Sequence, residues 1–189
     1  MKRSLIIIDF INDIVDLKGK IPSCAQQVIV NSTIEHANSA ISWARENDVP
    51  CIFVKVGFQS NYIDLPRHSP IFGKVDTIGA LNLNDWGTQF HQDLAIAKND
   101  LVICKPRVNP FHNTQLDSVL SANNITDIYL CGVSTTWAIQ SAVRDAHDRD
   151  YQVHIISDAC AAATEEEHKN SLTMLSRLAT LHKSNELNA

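Results

Sequence analysis

Leu130-Cys131-Gly132-Val133-Ser134-Thr135-Thr136-Trp137-Ala138-Ile139 reads as the end of a strand, a tight turn and the start of a helix. The apolar run at residues 128–131 stops at Gly132, three hydroxyl residues follow the next position, and residues 137–146 continue as an amphipathic helix. Hydroxyl side chains at such a turn can cap the helix, and its free N–H groups can hold an oxyanion. A cysteine in the first turn would have its thiolate stabilised by the positive end of that helix. The residue there is Ala138, which has no nucleophile.

Outward from this stretch, strands and helices alternate. Residues 5–10 are a continuous apolar run broken by Asp9, as expected of a strand buried on both faces. Ser32-Thr33-Ile34-Glu35 has capping-box spacing, and Ile34, Ala37, Ala40, Ile41 and Ala44 follow with helical period. Residues 51–54, 101–104, 125–131 and 151–156 read as four further strands. Helices are expected from Thr114 through Leu120, and after a second capping box at Thr164-Glu165-Glu166-Glu167. The polar tail after Leu181 is expected to fray. Residues 57–88 show no periodicity, and an excursion of that length is usually functional, as a lid or a subunit contact. The pattern gives an α/β fold, a three-layer α/β/α sandwich around a mostly parallel, Rossmann-like sheet, with residues 1–189 as one domain.

Composition narrows the function. Of 189 residues, 44% are hydrophobic and 20% charged, as in ordinary globular proteins. Net charge is −5 with the basic residues dispersed, which disfavours nucleic-acid and anionic-membrane partners and leaves a small-molecule substrate. No apolar run reaches membrane-spanning length, and Met1-Lys2-Arg3-Ser4 runs straight into the first strand with no signal-peptide cleavage site. The five cysteines are widely spaced and read as reduced cytoplasmic thiols, with Cys51, Cys104 and Cys131 as small core residues. His68, His91 and His112 have no metal-ligand spacing, and no GxGxxG or P-loop occurs, so neither metal nor cofactor is expected.

In open parallel sheets, ligands bind beyond the carboxyl ends of the strands where strand order reverses. Asp9, Lys105 and the Gly132 turn all stand at such ends. A buried Asp or Lys is costly unless paired, and an Asp–Lys pair would satisfy both while leaving a carboxylate able to move protons. A purely structural ion pair, or an Asp9 that only caps a loop, fits the same residues. Phe10, Trp86, Phe111 and Trp137 are candidate pocket walls, and Arg107 could bind a carboxylate or remain a solvated surface charge.

Taken together, the chain resembles the isochorismatase-like hydrolase superfamily, also called the cysteine hydrolases. The resemblance rests on Ile6-Ile7-Ile8-Asp9-Phe10-Ile11-Asn12-Asp13, Lys105-Pro106-Arg107, Asn109-Pro110-Phe111, Thr114-Gln115-Leu116, Cys131-Gly132-Val133-Ser134-Thr135, residues 141–146 and residues 156–161. It implies Asp9 as general acid/base, Lys105 as the group holding the Asp charge and orienting substrate, and Ala138 at the nucleophile position. It further implies a cis Val133–Ser134 bond, an oxyanion hole of backbone N–H groups around Thr136 to Ala138, and a homodimer or homotetramer. Ile11 replaces the usual glutamine, and no counterpart to nicotinamidase-type metal ligands occurs at residues 55–70. Without a thiol at position 138, three readings stand. One is a hydrolase working by Asp/Lys acid–base chemistry, with vinyl-ether hydrolysis as in isochorismatases favoured. The others are a cysteine amidohydrolase whose nucleophile has been replaced and a non-catalytic ligand-binding relative.

Overall fold

The computed structural model describes residues 2–187. Six strands form one sheet in the order β3-β2-β1-β4-β5-β6, and every neighbouring pair is parallel. They are β1 Arg3–Ile8, β2 Cys51–Val56, β3 Leu101–Lys105, β4 Asp127–Val133, β5 Gln152–Ala161 and β6 Thr180–His182. Leu5 to Ile8 of β1 and every residue of β4 are buried, which is why residues 5–8 and 128–131 read as unbroken apolar runs at the centre of a covered sheet. The helices are α1 Asn12–Val15, α2 Ala25–Val30, α3 Thr33–Glu46, α4 Leu116–Ala122, α5 Gln140–Asp148 and α6 Glu165–Leu175. Helix α3 lays Ile34, Ala37, Ala40, Ile41 and Ala44 on the sheet at the spacing the sequence shows. Among the described residues no helix is long and apolar enough to cross a membrane.

Strand order reverses between β1 and β4, which pair directly, so the crevice at their carboxyl ends is the topological switch point. Gly132 makes that junction possible. Its φ is 133°, and a Cβ there would lie 2.1 Å from the Ile8 carbonyl oxygen.

Several expectations are corrected. Ser32 does not cap α3. It holds φ 48° with no side-chain cap bond, because only two residues turn the chain from α2 into α3 and one must adopt a left-handed conformation. Thr164 does cap α6, its Oγ1 accepting the Glu167 N–H at 3.1 Å. The helix expected from Thr114 begins at Leu116, whose N–H donates to Thr114 Oγ1. Cys104 is exposed rather than core, because β3 is an edge strand that turns Ile103 and Lys105 inward and Val102 and Cys104 outward.

The fifth strand runs five residues beyond Ile156, and a short sixth strand was not foreseen. Residues 182–187 are held rather than frayed, and the last two residues of the tail lie outside the described residues. Ser157 Oγ donates to the His182 carbonyl at 2.9 Å, the Asp158 carboxylate accepts the Ser184 N–H at 2.9 Å, and Leu187 is buried.

Candidate active site

Asp9 directly follows β1, at φ 59°. Its N–H donates to the Val54 carbonyl at 2.9 Å, and its Oδ1 accepts the Val56 N–H at 2.7 Å. The side chain therefore reaches over the end of β2 to β3, where Lys105 Nζ lies 2.7 Å from Asp9 Oδ2. Both side chains are almost wholly buried, at 4% and 1% exposed. Burial pushes the Asp9 carboxyl up from its ordinary value, outweighing the nearby Lys105 charge and the hydrogen bonds that pull it down. The Lys105 ammonium also donates to the carbonyls of Arg107 (3.2 Å) and Val108 (3.0 Å).

On the other side of the switch point, the bond between Val133 and Ser134 is cis. A π-helical turn, Thr135–Ile139, then leads into α5. Ser134 closes this turn, its Oγ and its carbonyl each accepting the Trp137 N–H at 3.2 Å. The Trp137 N–H is thereby engaged within the chain. Helix α6 braces the turn from behind, with His168 Nδ1 2.8 Å from Thr135 Oγ1 and Thr136 Oγ1 donating to Glu167 Oε2 at 3.3 Å. Burial lowers the His168 pKa.

Between these two halves lies a cavity of about 240 Å³. Asp9, Lys105, Val133, Ser134, Trp137 and Ala138 all line it. Residues that the sequence did not single out complete the wall: Ile14 and Ile21, Ser23 and Cys24 at the start of α2, Val56, Val108, and Ile71, Phe72 and Leu81 from the irregular excursion. Cys24 is the thiol in this wall, and burial pushes it up to about 11, leaving it protonated at neutral pH. Ile71 and Phe72 are adjacent apolar residues in the turn-rich excursion, the available signal for its contribution.

Four proposed wall residues stand elsewhere. Phe10 is fully buried in the core, because consecutive residues at the strand end point to opposite sides and Asp9 takes the cavity side. Trp86 is 46% exposed and faces a different groove with Asn12, Gln89 and Gln92, its carbonyl accepting from Asn12 Nδ2. Phe111 packs against Tyr151, ring centroids 6.2 Å apart, with the Arg149 guanidinium over its face. Arg107 turns its guanidinium onto the Pro106 and Asp64 carbonyls, and meets the site only through its own carbonyl on Lys105. Among the described residues no group of three or more His, Cys, Asp or Glu side chains converges as a metal site would require.

Comparison with known proteins agrees with this architecture. The isochorismatase domain family matches residues 3–186. A protein of Escherichia coli O157:H7 described as an uncharacterized isochorismatase family protein, YecD, is 30% identical over 172 residues, covering 89% of this chain and 85% of its own. The ureidoacrylate amidohydrolase RutB of Cronobacter turicensis is 27% identical over 171 residues, covering 84% and 74% respectively. Among solved structures, an isochorismatase family protein from Desulfovibrio vulgaris superposes with a TM-score of 0.88 at 19% identity, covering 99% of this chain and 96% of that one. The chain belongs to the isochorismatase family of hydrolases.

Proposed function

We propose that the chain hydrolyses a small organic molecule by acid–base chemistry at Asp9, with no covalent intermediate at position 138. The observation that carries this is the buried Asp9–Lys105 pair, 2.7 Å apart at the cavity wall, beside an Ala138 that is 3% exposed and cannot form an acyl bond. A carboxyl held up by burial is suited to donate a proton. For a vinyl ether, the proton on Asp9 passes to the terminal vinyl carbon. Water then adds to the oxygen-bearing carbon, and the hemiketal C–O bond breaks to release an alcohol and a carbonyl compound. The proton lost by the attacking water returns to the Asp9 carboxylate. Lys105 keeps the carboxylate in place and balances its charge when the proton has left. Amides of the turn at Thr136 and Ala138 are the donors proposed for developing negative charge on oxygen.

The test is Asp9→Asn on an identified enol-ether substrate. Turnover is expected to fall by roughly 10²–10⁴-fold, and unchanged turnover removes Asp9 from the chemistry.

Amide hydrolysis is the second reading, favoured by the activity named for the Cronobacter relative. It needs a thiolate, and Cys24, though in the same wall, is held protonated. Ala138→Cys, assayed on amides with thiol alkylation as control, decides it; no gain on any amide counts against this reading. We further propose a homodimer or homotetramer working in the cytoplasm. The excursion that exposes Ile63 (81%) and Ile78 (51%) would be the subunit contact, and a monomer by light scattering would count against it.

A further inference from the structure

From the donors and charges lining the cavity, we infer that the site takes an uncharged molecule with an apolar body and a single polar group, and excludes carboxylates and cations alike. This rests on the proposal that the cavity beside Asp9 is the substrate site. An ammonium has three N–H donors. Those of Lys105 are matched by three acceptors of the chain itself: Asp9 Oδ2 at 2.7 Å, Val108 O at 3.0 Å and Arg107 O at 3.2 Å. Lys105 is the one cationic side chain among the lining residues, and it has no donor left for an incoming anion.

Three cations on the neighbouring segments are also engaged within the chain. Lys20 donates to the Gly79 carbonyl at 2.6 Å and lies 3.6 Å from Asp85, Arg67 pairs with Asp76, and Arg107 caps backbone carbonyls. The anion is matched in the same way: whenever Asp9 is ionised its charge is offset by Lys105 and its other oxygen lies on the Val56 N–H, and when protonated it carries no charge. A ligand carrying either sign would leave water with no counter-charge waiting, and an uncompensated charge in such a place is strongly penalised.

The remaining wall states what is accepted. Ile14, Ile21, Val56, Phe72, Leu81 and Val108 give an apolar lining, and Ser23 and Ser134 add neutral hydroxyls. Ser134 Oγ accepts from the Trp137 N–H, which leaves its O–H to donate to a carbonyl or ether oxygen. At about 240 Å³ the space lies below the roughly 300–1,000 Å³ of drug-sized sites, so the ligand is small.

Three compounds of one shape and different charge test this: benzamide, benzoate and benzamidine, neutral, anionic and cationic at pH 7.5. Binding to the wild-type chain is read by calorimetry and by ligand-dependent melting shifts. Benzamide is expected to bind at least about tenfold tighter than either charged partner. Benzoate binding as well as benzamide would reveal a free cation in the site, and benzamidine doing so would reveal a free anion. Either result overturns the inference, as does failure of all three to bind at millimolar concentration. No turnover is read here, so failure of the acid–base reading (activity surviving Asp9→Asn) is a separate result from failure of this one.

Discussion

Gly132 of β4 and Ile8 of β1 approach so closely that a Cβ on the glycine would sit 2.1 Å from the Ile8 carbonyl oxygen and 2.8 Å from its nitrogen. Both neighbours are backbone in the central strand pair, so neither can swing aside. The glycine also holds φ 133°, which an L side chain rarely adopts. Gly132→Ala is therefore expected to destabilise the chain by about 3–5 kcal/mol or to prevent folding, through combined strain and overpacking. Urea unfolding checks it, and a wild-type midpoint would show that the two strands can part.

The Asp9–Lys105 pair is expected to behave as a unit. Removing one partner leaves a buried charge alone, at a cost of about 3–5 kcal/mol, whereas removing both charges relieves most of that cost. Lys105→Met should thus be markedly less stable than wild type. The double variant Asp9→Asn with Lys105→Met should recover stability while remaining inactive. A double-mutant cycle from denaturant melts measures the coupling, and simple additivity would mean that the two groups do not interact.

Asp9 sets a pH dependence whose sign follows from its upward shift. Its ordinary value is 3.8, and burial raises it in the fold. Between 3.8 and the raised value the native state binds more protons than the unfolded chain. The contribution of Asp9 to stability is fully present below 3.8, and is lost as pH rises through the native value. For a reaction that uses the protonated form, kcat falls along the same limb. A pH–rate profile should place this limb above the usual Asp range and lose it in Asp9→Asn. A limb at or below the ordinary value would mean that the Lys105 charge and the hydrogen bonds match or outweigh burial.

How much was legible in the sequence depended on which physical force spoke loudest there. Asp9 and Lys105 stood out because a charge at the end of an apolar strand has to find a partner, and the structure puts them 2.7 Å apart. The sheet was legible because β1 and β4 carry unbroken apolar runs, Leu5 to Ile8 and Ile128 to Cys131. The wall was not. Trp86 and Phe111 are aromatic, but aromatic identity carries no direction, and one faces another groove while the other packs on Tyr151. Cys24, Ile71 and Phe72 come from segments with no periodicity, so only the three-dimensional return of those loops to the crevice reveals them. The sixth strand is three residues long, too short to leave a pattern, and is held by Ser157 and its pairing with β5.

His168 supports the turn at Thr135–Ile139 from behind, and its protonation should loosen that support. Its Nδ1 lies 2.8 Å from Thr135 Oγ1, and burial lowers its pKa from the ordinary 6.5, with Lys183 and Lys169 acting in the same direction and Glu165 against it. A histidine depressed in the fold is protonated more readily when unfolded, so its stability contribution is complete above 6.5 and is lost as pH falls toward the native value. Stability should therefore decline below about pH 6.5, and more gently in His168→Gln, which keeps a polar group facing Thr135 but cannot titrate there. Melting curves between pH 5 and 8 on the two chains check this. Parallel slopes would assign the acid sensitivity to other groups and leave His168 as a spacer between α6 and the turn.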